Sequence, residues 1–207
     1  MLTEIKINKL NISYRNNDPS AIIEKSLELT KDAILTTNFR PYESAILHAV
    51  YSVKSDLPVV WCDTGYNTKE TYKHAEYLIG KLNLNIFSYV PKQTAAYRES
   101  IMGLPNLEDP QHKLFTEQVK LEPFKRALEY HYPKIWFTNL RKGQTDYRDS
   151  IDIFSLTREG ILKVCPFYHW TDEDLDSYLA KNNLPNEFNY FDPTKSLQNR
   201  ECGLHSK

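Results

Sequence analysis

A chain of 207 residues with 41% hydrophobic and 26% charged side chains has the composition of a globular protein that can bury a core without disulfide staples. A formal net charge of −1 excludes a global basic field for nucleic acid or membrane, while leaving room for local basic sites. The three cysteines, Cys62, Cys165 and Cys202, are odd in number, far apart and without a CxxC or CC pair. That pattern argues against a disulfide framework, tetrahedral zinc or a four-cysteine iron–sulfur cluster, and it favours a reducing compartment. The opening MLTEIKINKLNISY has no continuous apolar core, so no secretory signal is expected. No stretch approaches the roughly 18 apolar residues of a membrane span. Cytoplasmic localisation is the expectation.

Along the chain, apolar periodicity switches between short strand-like runs and longer helical ones. Ala33–Thr37 (AILTT) reads as a buried strand, and a helix is predicted from about Tyr42 to Val53, with Ala45, Ile46, Ala49 and Val50 on one face. Leu57–Trp61 is a second strand, ending in the turn Asp63-Thr64-Gly65, and a helix follows over Lys69–Leu82. Leu84–Val90 is a third strand. Residues 98–113 lack clear periodicity and read as a loop or lid, and Phe115–His131 reads as helical with Pro123 as a break or new start. Ile135–Asn139 and Ile161–Cys165 are the fourth and fifth strands, and Thr171–Asn182 is a helix announced by the capping pattern Thr-Asp-Glu-Asp.

Strand–helix alternation of this kind predicts an α/β fold, a parallel sheet with helices on both faces, spanning residues 1–182. Residues 183–207 are polar and poor in aliphatic side chains, and read as a flexible C-terminal tail. Ligands of such sheets bind at the carboxyl ends of the strands, which directs attention to the loops after Thr37, Trp61 and Asn139.

Those loops, and the tail, hold the chemistry-bearing residues. Cys202 lies in Arg200-Glu201-Cys202-Gly203-Leu204-His205, a polar setting unlike the usual burial of a free cysteine. An incidental exposed thiol is one reading. The other is a nucleophile whose thiolate Arg200 and His205 favour. Cys62 and Cys165 sit in apolar runs and read as packed core thiols. In the turn after the second strand, Gly65 permits close backbone approach and Asp63 can accept from a base or ribose, although an ordinary βα turn has the same composition. After the fourth strand, Arg141, Lys142 and Arg148 suit a polyanion, since arginine forks bind phosphate or sulfate bidentately; a solvated loop is the competing reading. Lys120, Glu122 and Arg126 form a second charged group. Thr36, Thr37 and Asn38, with Arg40, can present hydroxyls and N–H groups to a phosphate at the next helix start. The histidines show no ligand spacing, so no metal site is expected.

Taken together, TTNF at the first strand, DTGYNTKETY after the second, VKLEPFKRAL, WFTNLRKGQTDYR, KVCPFYHWTDEDLDSYL and the final ECGLH resemble the phosphoadenylyl-sulfate (PAPS) reductase family, within the adenine-nucleotide α-hydrolase-like fold. ECGLH is the most specific piece. The resemblance implies that Cys202 attacks the sulfur of an adenylated sulfate and becomes S-sulfonated, and that thioredoxin or glutaredoxin then releases sulfite. It implies PAPS as substrate, no bound cofactor, no iron–sulfur cluster and a homodimer. It assigns substrate contacts to Thr36, Thr37, Asp63, Gly65, Lys120, Arg126, Arg141, Lys142, Gln144, Arg148 and His205. The chain departs from the family in three places. Asn38-Phe39-Arg40 stands where a small-residue SFG turn is common, and Arg141-Lys142-Gly143-Gln144 where Arg-Arg-Glu-Gln is common. The stretch before ECGLH is also shortened to NYFDPTKSLQN. A clusterless adenylyl-sulfate reductase and a non-catalytic nucleotide-binding homologue are the alternatives. An ATP pyrophosphatase fits less well, because TTNFRPYES supplies no glycine-rich pyrophosphate loop.

Overall fold

The computed structural model describes residues 3–106 and 108–195. Ala33–Thr37 forms β1, and its branched, apolar side chains are buried on both faces of a central strand. Around it lie β2 (Val59–Cys62), β3 (Ile86–Tyr89), β4 (Ile135–Phe137), β5 (Phe154–Leu156) and β6 (Leu162–Val164), in the order β3-β2-β1-β4-β6-β5. Every pairing is parallel except β5 with β6. The order reverses at β1, which pairs with β2 on one side and β4 on the other. The crevice beyond β1 and β4 is therefore the topological switch point, where open α/β sheets bind ligands.

Helices α1 (Glu4–Tyr14), α2 (Pro19–Leu29), α3 (Glu43–Val53), α4 (Lys69–Leu82), α5 (Ala95–Met102), α6 (His112–Thr116), α7 (Glu122–His131), α8 (Asp146–Asp149) and α9 (Asp172–Lys181) complete the described chain. The larger apolar core joins one sheet face to α2, α3, α4 and α9, while Phe124 and Ala127 of α7 cover Ile34, Val60 and Trp136 on the other. The expected fold class is thus the observed one. The capping box predicted at Thr171 is present: its hydroxyl accepts from the Asp174 amide, and the Asp174 carboxylate accepts from the Thr171 amide at 2.9 Å.

Several expectations change. Residues 98–113 are not one loop. Arg98 lies in α5, almost wholly buried, with Nε donating to Gln118 Oε1 at 3.0 Å, and His112 opens α6. Of the two readings of Pro123, the new start is the one observed. A π-helical turn over Glu117–Leu121 joins α6 to α7, so the proline falls in the first turn of a new segment, where its missing N–H costs little. The edge strand β5 and helices α1 and α2 are additions to the elements expected from the sequence. α1 earns its place through Asn11, whose amide donates to Phe154 O at 3.0 Å and accepts from Phe154 N at 2.8 Å, covering part of the sheet edge. Residues 183–195, expected to be loose, are docked as far as Lys195: Asp192 and Thr194 are buried, and Tyr190 meets Asn38.

Candidate active site at the ends of β1 and β4

A cavity of about 60 Å³ opens beyond the carboxyl ends of β1 and β4. Thr36, Thr37 and Asn38 line it from β1, Thr138 and Leu140 from β4, and Arg40, Lys120, Arg148 and Lys195 bring their cationic side chains to its wall. Glu43 is the only acid among the described residues of the lining. That volume suits one small anionic group, not a whole nucleotide, for which clefts of roughly 300 Å³ or more are usual.

The loop after β1 is shaped by Glu43, at the first turn of α3. Its carboxylate accepts from Thr37 Oγ1 at 2.6 Å, from the Asn38 amide at 2.8 Å and from Arg40 Nε at 2.9 Å. With the Asn38 side-chain amide oriented to donate to Glu43, its oxygen accepts from the Tyr190 hydroxyl at 2.7 Å. Phe39 and Tyr42 both hold positive φ, 53° and 68°, an uncommon backbone for side chains of that size. Phe39 is locked there by full burial and an edge contact with Trp61, ring centroids 5.0 Å apart. Arg40 is not among the positive-φ residues, so an arginine where the family has glycine needs no left-handed backbone. It also donates through Nη2 to Asn139 O at 2.6 Å, tying the β1 loop to the β4 loop. Thr36 Oγ1 accepts from Trp136 Nε1 at 2.8 Å.

Lys120, in the π-helical turn, is 5% exposed and donates to Asp192 Oδ2 at 2.5 Å, and to Thr194 Oγ1 at 3.3 Å. Burial opposes ionisation of Asp192, but the Lys120 ammonium and the Thr194 donors outweigh it and hold the carboxyl below its ordinary value. Arg148 is buried at the end of α8, its guanidinium donating to Gln144 Oε1.

The other predicted residues lie elsewhere. Arg141 is buried against α9, with Nη2 donating to Asp172 Oδ1 at 2.5 Å and Nη1 to Trp170 O at 3.3 Å, and its guanidinium lies 5.3 Å from the centre of the Tyr42 ring. Lys142 is exposed, its backbone amide donating to Tyr168 O at 2.9 Å. Arg126 pairs with Glu122 and donates to Val90 O at 2.6 Å. Asp63 accepts from the Gly65 amide at 2.9 Å, from Asn67 Nδ2 at 2.8 Å and from the Tyr72 hydroxyl at 2.9 Å, which shapes its own loop. Gly65, at φ 81°, makes the turn that loop requires. Of the thiols, Cys165 is fully buried and desolvation pushes it up to about 12, so it is inert. Cys62, read as a packed core thiol, is only half-buried and lines the cavity. Cys202 and His205 lie outside the described residues.

Sequence reasoning had no signal for Glu43, Asp192 or Lys195, since each reads as an ordinary surface charge until the fold turns it inward. A much larger groove, about 1550 Å³, runs between α1, α7 and β5, and none of the predicted residues among those described lines it. Among the described residues no group of three or more His, Cys, Asp or Glu is arranged to hold a metal, and no helix is long and apolar enough to cross a membrane.

Residues 33–192, which include every described lining residue of the cavity but Lys195, match the phosphoadenosine phosphosulfate reductase domain. The chain belongs to that family. A phosphoadenosine 5′-phosphosulfate reductase of Vibrio cholerae is 36% identical over 161 residues, 73% of this chain and 60% of the relative. One from an Enterobacter strain is 32% identical over 189 residues, covering 88% of this chain and 72% of its own length. The chain therefore spans three fifths of the first of these relatives and more of the second. The crystal structure of a PAPS reductase from Candida auris, a phosphate complex, superposes with a TM-score of 0.79 over 90% of both chains at 21% identity, which supports the family's fold. A Candida glabrata FMN adenylyltransferase shares the fold more loosely, at TM-score 0.57 and 14% identity over 90% of this chain and 61% of its own.

Proposed function

We propose that this chain reduces 3′-phosphoadenylyl sulfate to sulfite and adenosine 3′,5′-bisphosphate, with Cys202 as nucleophile and thioredoxin or glutaredoxin as electron donor. The observation that carries this reading is the convergence of Arg40, Lys120, Arg148 and Lys195 on one small cavity at the switch point of a reductase-family sheet. An anionic thiolate attacking an anionic sulfonate needs cations on the reacting group, and a fixed cluster in a partly desolvated cavity supplies them without reorganisation.

In the first step the Cys202 thiolate attacks the sulfate sulfur. A sulfur–sulfur bond forms, the bond from sulfur to the bridging oxygen breaks, and adenosine 3′,5′-bisphosphate leaves with the electron pair. A donor thiolate then attacks Cys202 Sγ and sulfite departs with the electrons of the sulfur–sulfur bond. The donor's second thiol resolves the mixed disulfide and returns Cys202 to the thiol. Thr36 and Thr37 offer hydroxyls and Arg148 its fork to the anionic groups. The loop holding Asp63 and Gly65 is assigned to the nucleoside, and His205, three positions after Cys202, to the closed site. Arg126, Arg141 and Gln144 would act from the second layer, since the geometry commits them to protein partners, while the exposed Lys142 side chain would add charge from outside the cavity.

The test is sulfite release from PAPS with reduced thioredoxin, run beside adenylyl sulfate without the 3′-phosphate. PAPS should be the better substrate. Sulfite from neither nucleotide would end the reading, and a preference for adenylyl sulfate would move the chain to the clusterless alternative. Because three separated cysteines cannot supply the four thiolates of a cluster, anaerobically purified protein should be colourless and contain no stoichiometric iron.

A further inference from the structure

Arg98 is a cation at 1% exposure whose partners are neutral. Nε donates to Gln118 Oε1 and Nη2 to Gln93 O, both at 3.0 Å. Among the described residues Nη1 has no hydrogen-bond partner and no acid pairs with the guanidinium. Arginine cannot shed its proton, so titration gives no relief, and a charge buried this deeply is normally paired. Lys163 shows the contrast. It is also buried, but its ammonium lies 5.2 and 5.5 Å from the ring centres of Trp136 and Tyr147.

Three more buried polar atoms without a partner among the described residues come from the same neighbourhood: the Tyr66 hydroxyl, His112 Nε2 and Thr116 Oγ1. Packing brings them together. Because Nη2 reaches back to Gln93, the guanidinium sits at the N-terminal end of α5, where a Cβ on Gly65 would lie 3.7 Å from Ala95 Cβ. Tyr66, the next residue, packs on Phe115 with ring centres 5.4 Å apart, and Phe115 meets His112 at 6.3 Å. His112 and Thr116 share a face of α6, and Gln118, two positions on, holds Arg98 Nε. All four groups can donate, His112 when its proton is on Nε2. The helix dipole at the start of α5 also disfavours a cation there and favours an anion.

We propose that Arg98, Tyr66, His112 and Thr116 form a second anion site, which takes one small oxyanion of the phosphate or sulfate class. None of the four lines the cavity at β1 and β4. Water could satisfy their hydrogen bonds but not the charge, which is why an anion is the occupant. Its source is either the free inorganic ion or the 3′-phosphate of a nucleotide laid over the Asp63–Gly65 loop, beside Tyr66. In calorimetric titrations of the full chain with inorganic phosphate, Arg98→Gln should bind one phosphate fewer per chain than wild type. Phosphate at a hundredfold excess over Kd should raise the wild-type Tm by roughly 5–10 °C, and Arg98→Gln should lose half or more of that shift. Arg98→Lys keeps the charge without the fork, so it should keep the stoichiometry at about tenfold weaker affinity. An arginine that only braces Gln93 and Gln118 would lower the Tm equally with and without phosphate. In wild type, phosphate should slow hydrogen exchange across α5 and α6, which reads the site with no substitution.

Adenosine 3′,5′-bisphosphate and AMP separate the two sources. If the 3′-phosphate fills the site, Arg98→Gln weakens the bisphosphate about tenfold or more and leaves AMP unchanged. If the free ion fills it, both nucleotides bind the variant as they bind wild type, and phosphate still binds wild type saturated with the bisphosphate. Equal weakening of both nucleotides would make Arg98 a brace of the nucleoside loop and overturn the inference. So would equal phosphate stoichiometry in wild type and Arg98→Gln, or wild-type exchange in α5 and α6 that phosphate does not move. If Arg98→Gln does not fold, Arg98→Lys and the wild-type exchange decide. None of these readouts needs turnover, so the inference and the reductase reading stand or fall separately.

Discussion

Arg141 and Arg148 belong to one basic loop, follow the same strand and are both buried, yet they end in different chemistry. Arg148 reaches the wall of the cavity beside Lys120 and Lys195. Arg141 turns to α9, where Asp172 and the Trp170 carbonyl take up its fork. A run of cations shows where charge enters the chain, but the fold decides which charges are neutralised internally and which face a ligand. The difference also ranks the experiments, because changes on the cavity side should strike chemistry and changes on the α9 side should strike stability.

The largest effect is expected at the thiol that works with the cavity. Cys202→Ser should lower sulfite production by more than 10³-fold, about 4 kcal/mol in the activation barrier, since serine is a far weaker nucleophile at neutral pH. Cys165→Ser should stay active, because a thiol pushed up to about 12 by burial contributes no thiolate. Cys62→Ser is the informative control. The residue lines the cavity, so a modest change in KM with kcat preserved is expected. Steady-state sulfite assays on the three variants check this, and turnover by Cys202→Ser would undo the cavity side of the comparison.

Next in size is the buried pair that joins the cavity to the docked segment. Asp192→Asn leaves the Lys120 ammonium without its counter-charge at 5% exposure, and should cost about 3 kcal/mol of folding stability near neutral pH. The pH dependence has a definite sign. The folded-state carboxyl lies below its ordinary value, so its stabilisation is complete above the unfolded value of about 3.9 and is lost as pH falls through the lower folded one. Urea denaturation of wild type and variant should therefore give curves well separated at pH 6 that converge as acid is added. Separation that grows on acidification would show that the pair does not stabilise the fold.

How much of this was legible beforehand follows from the same physics. β1, α4 and α9 were readable because burial and capping leave local marks: AILTT is a branched apolar run, and Thr171-x-x-Asp174 is a capping box. Thr36, Thr37 and Arg148 could be singled out because they follow strand ends, where this class of sheet binds ligands, and Lys120 because it stands in a charged group at a predicted helix start; all four line the cavity. Glu43, Asp192 and Lys195 were not. Their roles depend on partners far away in the chain, and a polar stretch such as NYFDPTK carries no periodic sign that an aspartate and a threonine within it will be buried. Edge strand β5, at Phe154–Leu156, was too short to alternate visibly, and its partner in α1 is an asparagine.

Arg148→Lys keeps the charge but loses the planar fork that donates to Gln144 while facing the cavity, so kcat/KM should fall tenfold or more, about 1.4 kcal/mol. Nucleotide affinity and turnover measured on the same preparation would show whether the loss lies in binding or in the sulfonation step.

The smallest effect is expected on the α9 side, although the sequence gives Arg141 and Arg148 equal standing. Arg141→Lys can keep one contact to Asp172 but not the second donor to Trp170 O, nor the flat stacking of a guanidinium over Tyr42. Asp172 is largely exposed, which limits the energy of the pair, so a stability loss of about 1 kcal/mol is the appropriate scale. Activity per folded molecule should change less than threefold, because Arg141 does not line the cavity. Lys142→Ala should change neither quantity beyond twofold, since its side chain is exposed and only its backbone amide is engaged. Thermal melts paired with kcat/KM provide the measurement. A tenfold loss of kcat/KM in Arg141→Lys with an unshifted melt would mean that substrate draws this arginine away from Asp172, and the division between the two sides of the loop would then hold only for the unliganded protein.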